Sequence, residues 1–120
     1  MRDPTRGGIA ASLNEIANQT NCGIEIDEKT LPVRPSTQAA ADMLGFDILD
    51  IANEGKVVIV VSASKADECL RICKQCKNGK DSAIIGQVIK SDEPIVELIT
   101  KIQSRRIVQM PSGRELPRIC

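Results

Sequence analysis

The sequence has 120 residues, enough for one domain that buries about two thirds of its unfolded surface and too few for a second core. Sixteen Lys and Arg balance sixteen Asp and Glu, and Phe46 is the single aromatic residue. Neither a general attraction to nucleic acid or acidic lipid nor a stacking platform for bases is therefore expected. The longest apolar run, Val57 to Val61, falls far short of the roughly 20 residues that span a bilayer. No signal-peptide-like apolar segment opens the chain, so a soluble cytoplasmic protein with no membrane partner is expected. Five Cys without a secretory signal argue for free thiols in a reducing compartment. With no His, general-base work falls to a carboxylate or Lys, or to another domain.

The chain opens abruptly on Met1-Arg2-Asp3-Pro4-Thr5-Arg6-Gly7-Gly8, which reads as a working motif and suggests a fragment of a longer protein. Asp3 and Pro4 read as N-cap and first position of a helix whose apolar stripe is Ile9, Leu13, Ile16 and Ala17. Gly7 and Gly8 in its first turn cost about 1 kcal/mol each relative to Ala, which something should offset. Two readings stand side by side. An anion such as a phosphate approaches the exposed backbone N–H groups with Arg6 beside it, or the helix packs tightly against a neighbour.

Gly23 introduces a half-buried strand in which Ile24 and Ile26 alternate with Glu25 and Asp27. Leu31-Pro32-Val33-Arg34-Pro35 must be extended, because proline disfavours the helical region for the residue before it. A helix from Ser36 follows, with Ala39, Ala40, Met43 and Leu44 on its apolar face and Gly45 as its stop. Asp47 is placed to cap a second short helix from Ile48 to Ala52. The loop Asn53-Glu54-Gly55-Lys56 then sets an amide, a carboxylate and an ammonium just before the apolar run, although such loops are usually merely solvated.

Val57 to Val61 shows no alternation and predicts a central strand covered on both faces. Ser64 and Asp67 frame the start of a helix running to about Lys77, with Gly79 beyond it. Ala83 to Ile89 reads as a strand in which Gly86 marks a bulge or a close approach. Ile95 to Ile102 and Arg106 to Met110 complete a hairpin. The whole is one α/β (α+β) unit over residues 1–110, a mixed β-sheet covered by helices, followed by a mobile tail over 111–120.

Two cysteine features carry chemistry on paper. Cys69, Cys73 and Cys76 have the C-x3-C-x2-C spacing of certain iron–sulfur sites, yet they fall in an amphipathic helix beside Ala66, Leu70 and Ile72. Seven helical residues rise about 10.5 Å, whereas thiolates on one metal converge to within about 4 Å, so buried structural thiols and a colourless, metal-free protein are expected. Cys120 is different, since a terminal thiol gains nothing from burial. It is either incidental or a thiol carrier on an arm whose nine residue steps from Pro111 reach on the order of 30 Å.

Asp3-Pro4-Thr5-Arg6-Gly7-Gly8, Pro32-Val33-Arg34-Pro35, Ala52-Asn53-Glu54-Gly55-Lys56 and the terminal Pro117-Arg118-Ile119-Cys120 recur here in the order and spacing of a known family. By these motifs the chain resembles the C-terminal domain of the HypE hydrogenase maturation factors, in the superfamily of aminoimidazole ribonucleotide synthetase. It departs at Ile9, where Leu is usual, and in the helical cysteines, which lie outside the family pattern.

The resemblance implies a mixed sheet with helices, an N-terminal ATP-binding domain absent here, and an ATP-dependent carbamoyl dehydratase that supplies cyanide ligands for nickel–iron hydrogenase. It implies that Cys120 receives a carbamoyl group from the carbamoyltransferase HypF. ATP with magnesium, bound mainly by the missing domain, then drives dehydration to a thiocyanate that is delivered to HypC and HypD. The full-length protein is expected to be a homodimer. Arg6, Gly7 and Gly8 become candidate phosphate contacts, and Glu54 the candidate base. Alternatives are a selenophosphate synthetase or thiamine-phosphate kinase relative, which would not use a terminal thiol, and a non-catalytic docking module for maturation proteins.

Overall fold

The computed structural model describes residues 1–111. Its centre is a four-stranded mixed sheet built from β1 (Gly23–Asp27), β2 (Gly86–Ile89), β3 (Ile95–Ile99) and β4 (Arg105–Ile107), in the order β2-β1-β3-β4. β1 and β3 run parallel, with Ile24 opposite Val96 and Ile26 opposite Leu98, and both outer pairs are antiparallel. The inward faces alternate as the sequence requires: Ile24, Ile26, Val96 and Leu98 are buried, and Glu25 and Glu97 point the other way. On that outer face Arg105 bridges Glu25 at 2.8 Å and Glu97 at 2.9 Å, and the two carboxylates raise its already high pKa.

One helix covers the inward face. α1 (Gly8–Thr20) buries Ala10, Leu13 and Ala17 against β1 and β3, with Ile9 and Ile16 at the rim of the same core. Leu49 and Val108 belong to the same buried core. Its small residues let the helix axis approach the sheet closely, and its amphipathic period is the one legible in the sequence. The hairpin from β3 to β4 also stands as expected, closed by Thr100 N–H to Ser104 O at 2.8 Å with Gln103 at φ 64°. At Gly86 an added Cβ would collide with the Glu25 carbonyl, so the close approach is real and pairs β2 to β1.

Five expectations need correction. α1 begins at Gly8, not at Asp3 and Pro4: the Asp3 carboxylate accepts from the Thr5 hydroxyl at 2.5 Å, and Gly7 at φ 63° bars a continuous helix before residue 8. α2 (Pro35–Leu44) buries Ala41, while Ala39, Ala40, Met43 and Leu44 are exposed, so the face that their spacing defines is not the one turned to the core. Residues 48–51 form a turn in place of a short helix, although Asp47 does accept from the Leu49 N–H at 3.0 Å. The helix near residue 70, α3 (Ala66–Gln75), follows a 3-10 turn at Ala63–Lys65 and buries none of its residues, so Cys69 and Cys73 are half-buried and Cys76 exposed.

The fifth correction is the largest. Val57 to Val61 is not a central strand: it makes one isolated bridge, Val58 with Arg2, and Val57 remains 51% exposed. An unbroken apolar run carries no information about which face is covered, and the centre of the sheet belongs to β1 and β3.

Candidate functional site

Two segments fifty residues apart are laced together. Arg2 and Val58 exchange backbone hydrogen bonds at 2.8 and 2.7 Å, and the Asn53 N–H donates to the Pro4 carbonyl at 2.9 Å. Pro4 is fully buried beneath this contact. The loop carrying Glu54 therefore runs alongside the glycine-rich opening and is fixed to it at both ends. Within the loop Asn53 is itself held, its amide donating to the Ile51 carbonyl and its Oδ1 accepting from Lys56 Nζ, each at 2.9 Å. Glu54 is exposed on the held loop.

Gly7 and Gly8 adopt φ of 63° and 64°, a conformation that L side chains rarely enter. Gly8 is buried, and a Cβ there would collide with the carbonyl oxygens of Leu49 and Ile51. The approach is locked by the Ala10 N–H on the Leu49 carbonyl at 2.9 Å, and Ser12 Oγ donates back to the Gly8 carbonyl at 3.1 Å. Tight packing thus accounts for Gly8. Gly7 is half-exposed, yet a Cβ there would also be crowded, 2.7 Å from the Ala11 Cβ and 3.5 Å from Pro111 Cγ.

Pro111 is the last described residue, so the corner formed by Gly7 is also the root to which residues 112–120 are attached. That root is anchored, since the Asn14 amide on α1 donates to the Val108 carbonyl at 2.9 Å and the Val108 N–H donates to Val96 O at 2.8 Å. Cys120 itself lies outside the described residues, as do the bounds of the expected tail beyond Pro111.

The corner is charged as well as open. Arg6 is exposed beside Gly7, and Asp3 stays ionised: its carboxyl is held below the usual range by the Thr5 hydroxyl, by its own backbone N–H, and by Arg2 and Arg6. Arg2 is additionally paired with Glu15. Asp50, on the turn that contacts Gly8, is pushed the opposite way by partial burial and by Asp47, with Arg106 opposing. An open cleft of about 310 Å³ is lined by Gln38, Asp42, Phe46, Asp47 and Arg106 among others, and Leu49, which packs on Gly8, lines it too, whereas Arg6, Gly7 and Gly8 do not.

The structure therefore brings together Arg6, Gly7, Gly8 and the loop of Glu54. Sequence reasoning missed the residues that assemble them, Pro4, Ser12, Asn14 and Asn53. A polar residue inside an otherwise apolar helical stripe, as Ser12 and Asn14 are, was the available signal.

Residues 1–99 match the family described as AIR synthase related protein, C-terminal domain. The chain belongs to that family. It is 48% identical over its whole length to the carbamoyl dehydratase HypE of Rhizobium leguminosarum bv. viciae, covering 34% of that protein. Among solved structures, the crystal structure of a HypE–HypF complex aligns with a TM-score of 0.86 at 45% identity over 92% of this chain and 35% of the other. HypE in complex with ATP aligns at 0.91, with 35% identity over 99% of this chain and 37% of the other. The chain thus spans about a third of the length of the curated relatives it matches. The mixed four-stranded sheet with helices is the fold of this family's C-terminal domain.

Proposed function

We propose that the chain is the C-terminal domain of a cytoplasmic, ATP-dependent carbamoyl dehydratase of hydrogenase maturation, with Cys120 as the sulfur on which cyanide is made. The observation that carries this reading is the convergence at one corner of the glycine opening, the Glu54 loop and the root of the Cys120 tail. Nine residue steps from Pro111 extend at most about 30 Å, so the terminal thiol can return to the corner it leaves from and can also reach out to a partner.

The chemistry follows from the groups. Sulfur is nucleophilic enough to accept a carbamoyl group and a good enough leaving group to release cyanide, which a hydroxyl is not. The carbamoyl oxygen attacks the γ-phosphorus of ATP and ADP departs, leaving an O-phosphorylated thiocarbamate whose C–O bond then breaks to give phosphate. The nitrogen loses its protons as the C≡N triple bond forms. Glu54 is the proposed acceptor of such a proton, held in place by the tethers at Asn53 and Val58. Arg6 and the exposed backbone at Gly7 support a contact with the phosphoryl oxygens, while Gly8 contributes by letting α1 meet the 49–51 turn.

Among the described residues no group of three or more Cys, Asp or Glu is disposed to hold a metal ion. Magnesium accompanying ATP is proposed to be held mainly by the remainder of the longer protein. A HypF-type carbamoyltransferase is the proposed donor, HypC and HypD the acceptors, and a homodimer the assembly of the longer chain.

The test is intact-mass measurement of the full-length protein with a HypF-type transferase, carbamoyl phosphate and ATP. A carbamoyl adduct that loses water is expected on Cys120, and neither species in Cys120→Ser. An adduct on that variant, or one mapping to Cys69, Cys73 or Cys76, refutes the carrier role.

A further inference from the structure

We propose that Cys69 and Cys73 form a two-coordinate site for a soft univalent cation, for which Cu(I) is the probe. The pair sits one turn apart on α3, a helix that buries no residue and whose contacts with other elements are chiefly with the preceding 3-10 turn. Both thiols are free and half-buried, and the Cys73 thiol lies against that of Cys69. Burial first, then this neighbour, raises the Cys73 pKa.

The spacing selects the ligand. Residues four apart on a helix hold their Cβ atoms about 5–6 Å apart, whereas a disulfide needs about 3.5–4.5 Å. The pair is therefore too wide to oxidise to a disulfide without unwinding the helix. Two thiolate–metal bonds of about 2.3 Å in line place the sulfurs about 4.6 Å apart, which the same spacing accommodates. Thiolates prefer soft ions, Cu(I) among them.

A third ligand is not offered. Cys76 follows the helix as its extended C-cap, its thiol directed to the Ile72 carbonyl at 3.6 Å, and no described group of three ligands converges. This excludes tetrahedral zinc and iron–sulfur assemblies while leaving the linear pair. Binding breaks two S–H bonds, forms two Cu–S bonds and releases two protons to solvent. Copper stays univalent and nothing is oxidised.

The test uses the 120-residue chain, anaerobic, with ascorbate and a coloured Cu(I) chelator as competitor. In a Cys22→Ser/Cys120→Ser background the chain should withdraw about one equivalent of Cu(I). Cys69→Ser and Cys73→Ser should each abolish the uptake, and Cys76→Ser should leave it intact. On the unmutated chain, Cu(I) should protect Cys69 and Cys73 from maleimide while Cys76 still labels, a readout independent of whether any variant folds. Uptake that survives Cys69→Ser, or that disappears with Cys76→Ser, or protection that includes Cys76, overturns the proposal.

Discussion

Gly8→Ala separates packing from backbone strain, because Gly45 offers a matched control. Both residues have positive φ, 64° and 69°, so an alanine at either carries the left-handed penalty of roughly 1–2 kcal/mol. At Gly45 nothing lies within 4 Å of the new Cβ, and the penalty should end there. At Gly8 the methyl would collide with the backbone at Leu49 to Ile51, which must move away and release the Ala10 N–H to Leu49 O bond. Losing a hydrogen bond and leaving a buried partner unsatisfied adds about 1–3 kcal/mol. The expected total is about 2–5 kcal/mol for Gly8→Ala against about 1–2 for Gly45→Ala. Urea denaturation of the 120-residue chain, followed by circular dichroism, reads both from the midpoints at constant slope. Equal destabilisation, within about 0.5 kcal/mol, would refute the packing account of Gly8 and return that residue to the phosphate reading.

Other outcomes follow from the same geometry. In the full-length protein, Glu54→Gln should leave carbamoylation of the tail intact and slow dehydration on the order of 10²-fold, measured by single-turnover mass spectrometry; an unchanged rate removes Glu54 as the base. The isolated chain should fold but not turn over ATP, as measured by phosphate release, because the proposed phosphate contacts of the corner are only part of an ATP site. Asp50 has a folded pKa above its ordinary 3.8, so the native state binds the extra proton and stability falls as pH rises through that window. Asp50→Asn should accordingly be more stable than the parent at pH 7 and lose that advantage in denaturant titrations below the ordinary carboxylate pKa.

What was legible in the sequence was whatever had a period. Ile24 and Ile26 alternate, Leu13 and Ala17 recur one helical turn apart, and each set occupies the face its spacing required. Val57 to Val61 lacks a period, and α2 has one whose face, with Met43 and Leu44, stays exposed; in both places hydrophobicity predicted burial that the structure does not supply. The start of α1 failed for another reason. Asp3 and Pro4 satisfy the local rules of a helix cap, but Pro4 is instead committed to a contact with Asn53 that lies fifty residues away. Local signals cannot report a tertiary competitor. The site residues were named from motifs, and their convergence came only with the fold.

That convergence depends on α1 more than on the motifs themselves. Its first turn meets Leu49 through Gly8, its third residue fastens to the same carbonyl, and Asn14, little more than one turn further on, holds Val108 just before the tail. One rigid helix thus sets both the turn that leads into the Glu54 loop and the point from which the tail departs. The carrier role proposed for Cys120 sets a matching requirement: a thiol that visits several sites returns to one place only if the segment it hangs from is fixed relative to the proposed site. The polar anchors of α1 divide this work, the half-buried Asn14 holding Val108 and the buried Ser12 tying Gly8 and Asp3 to the helix.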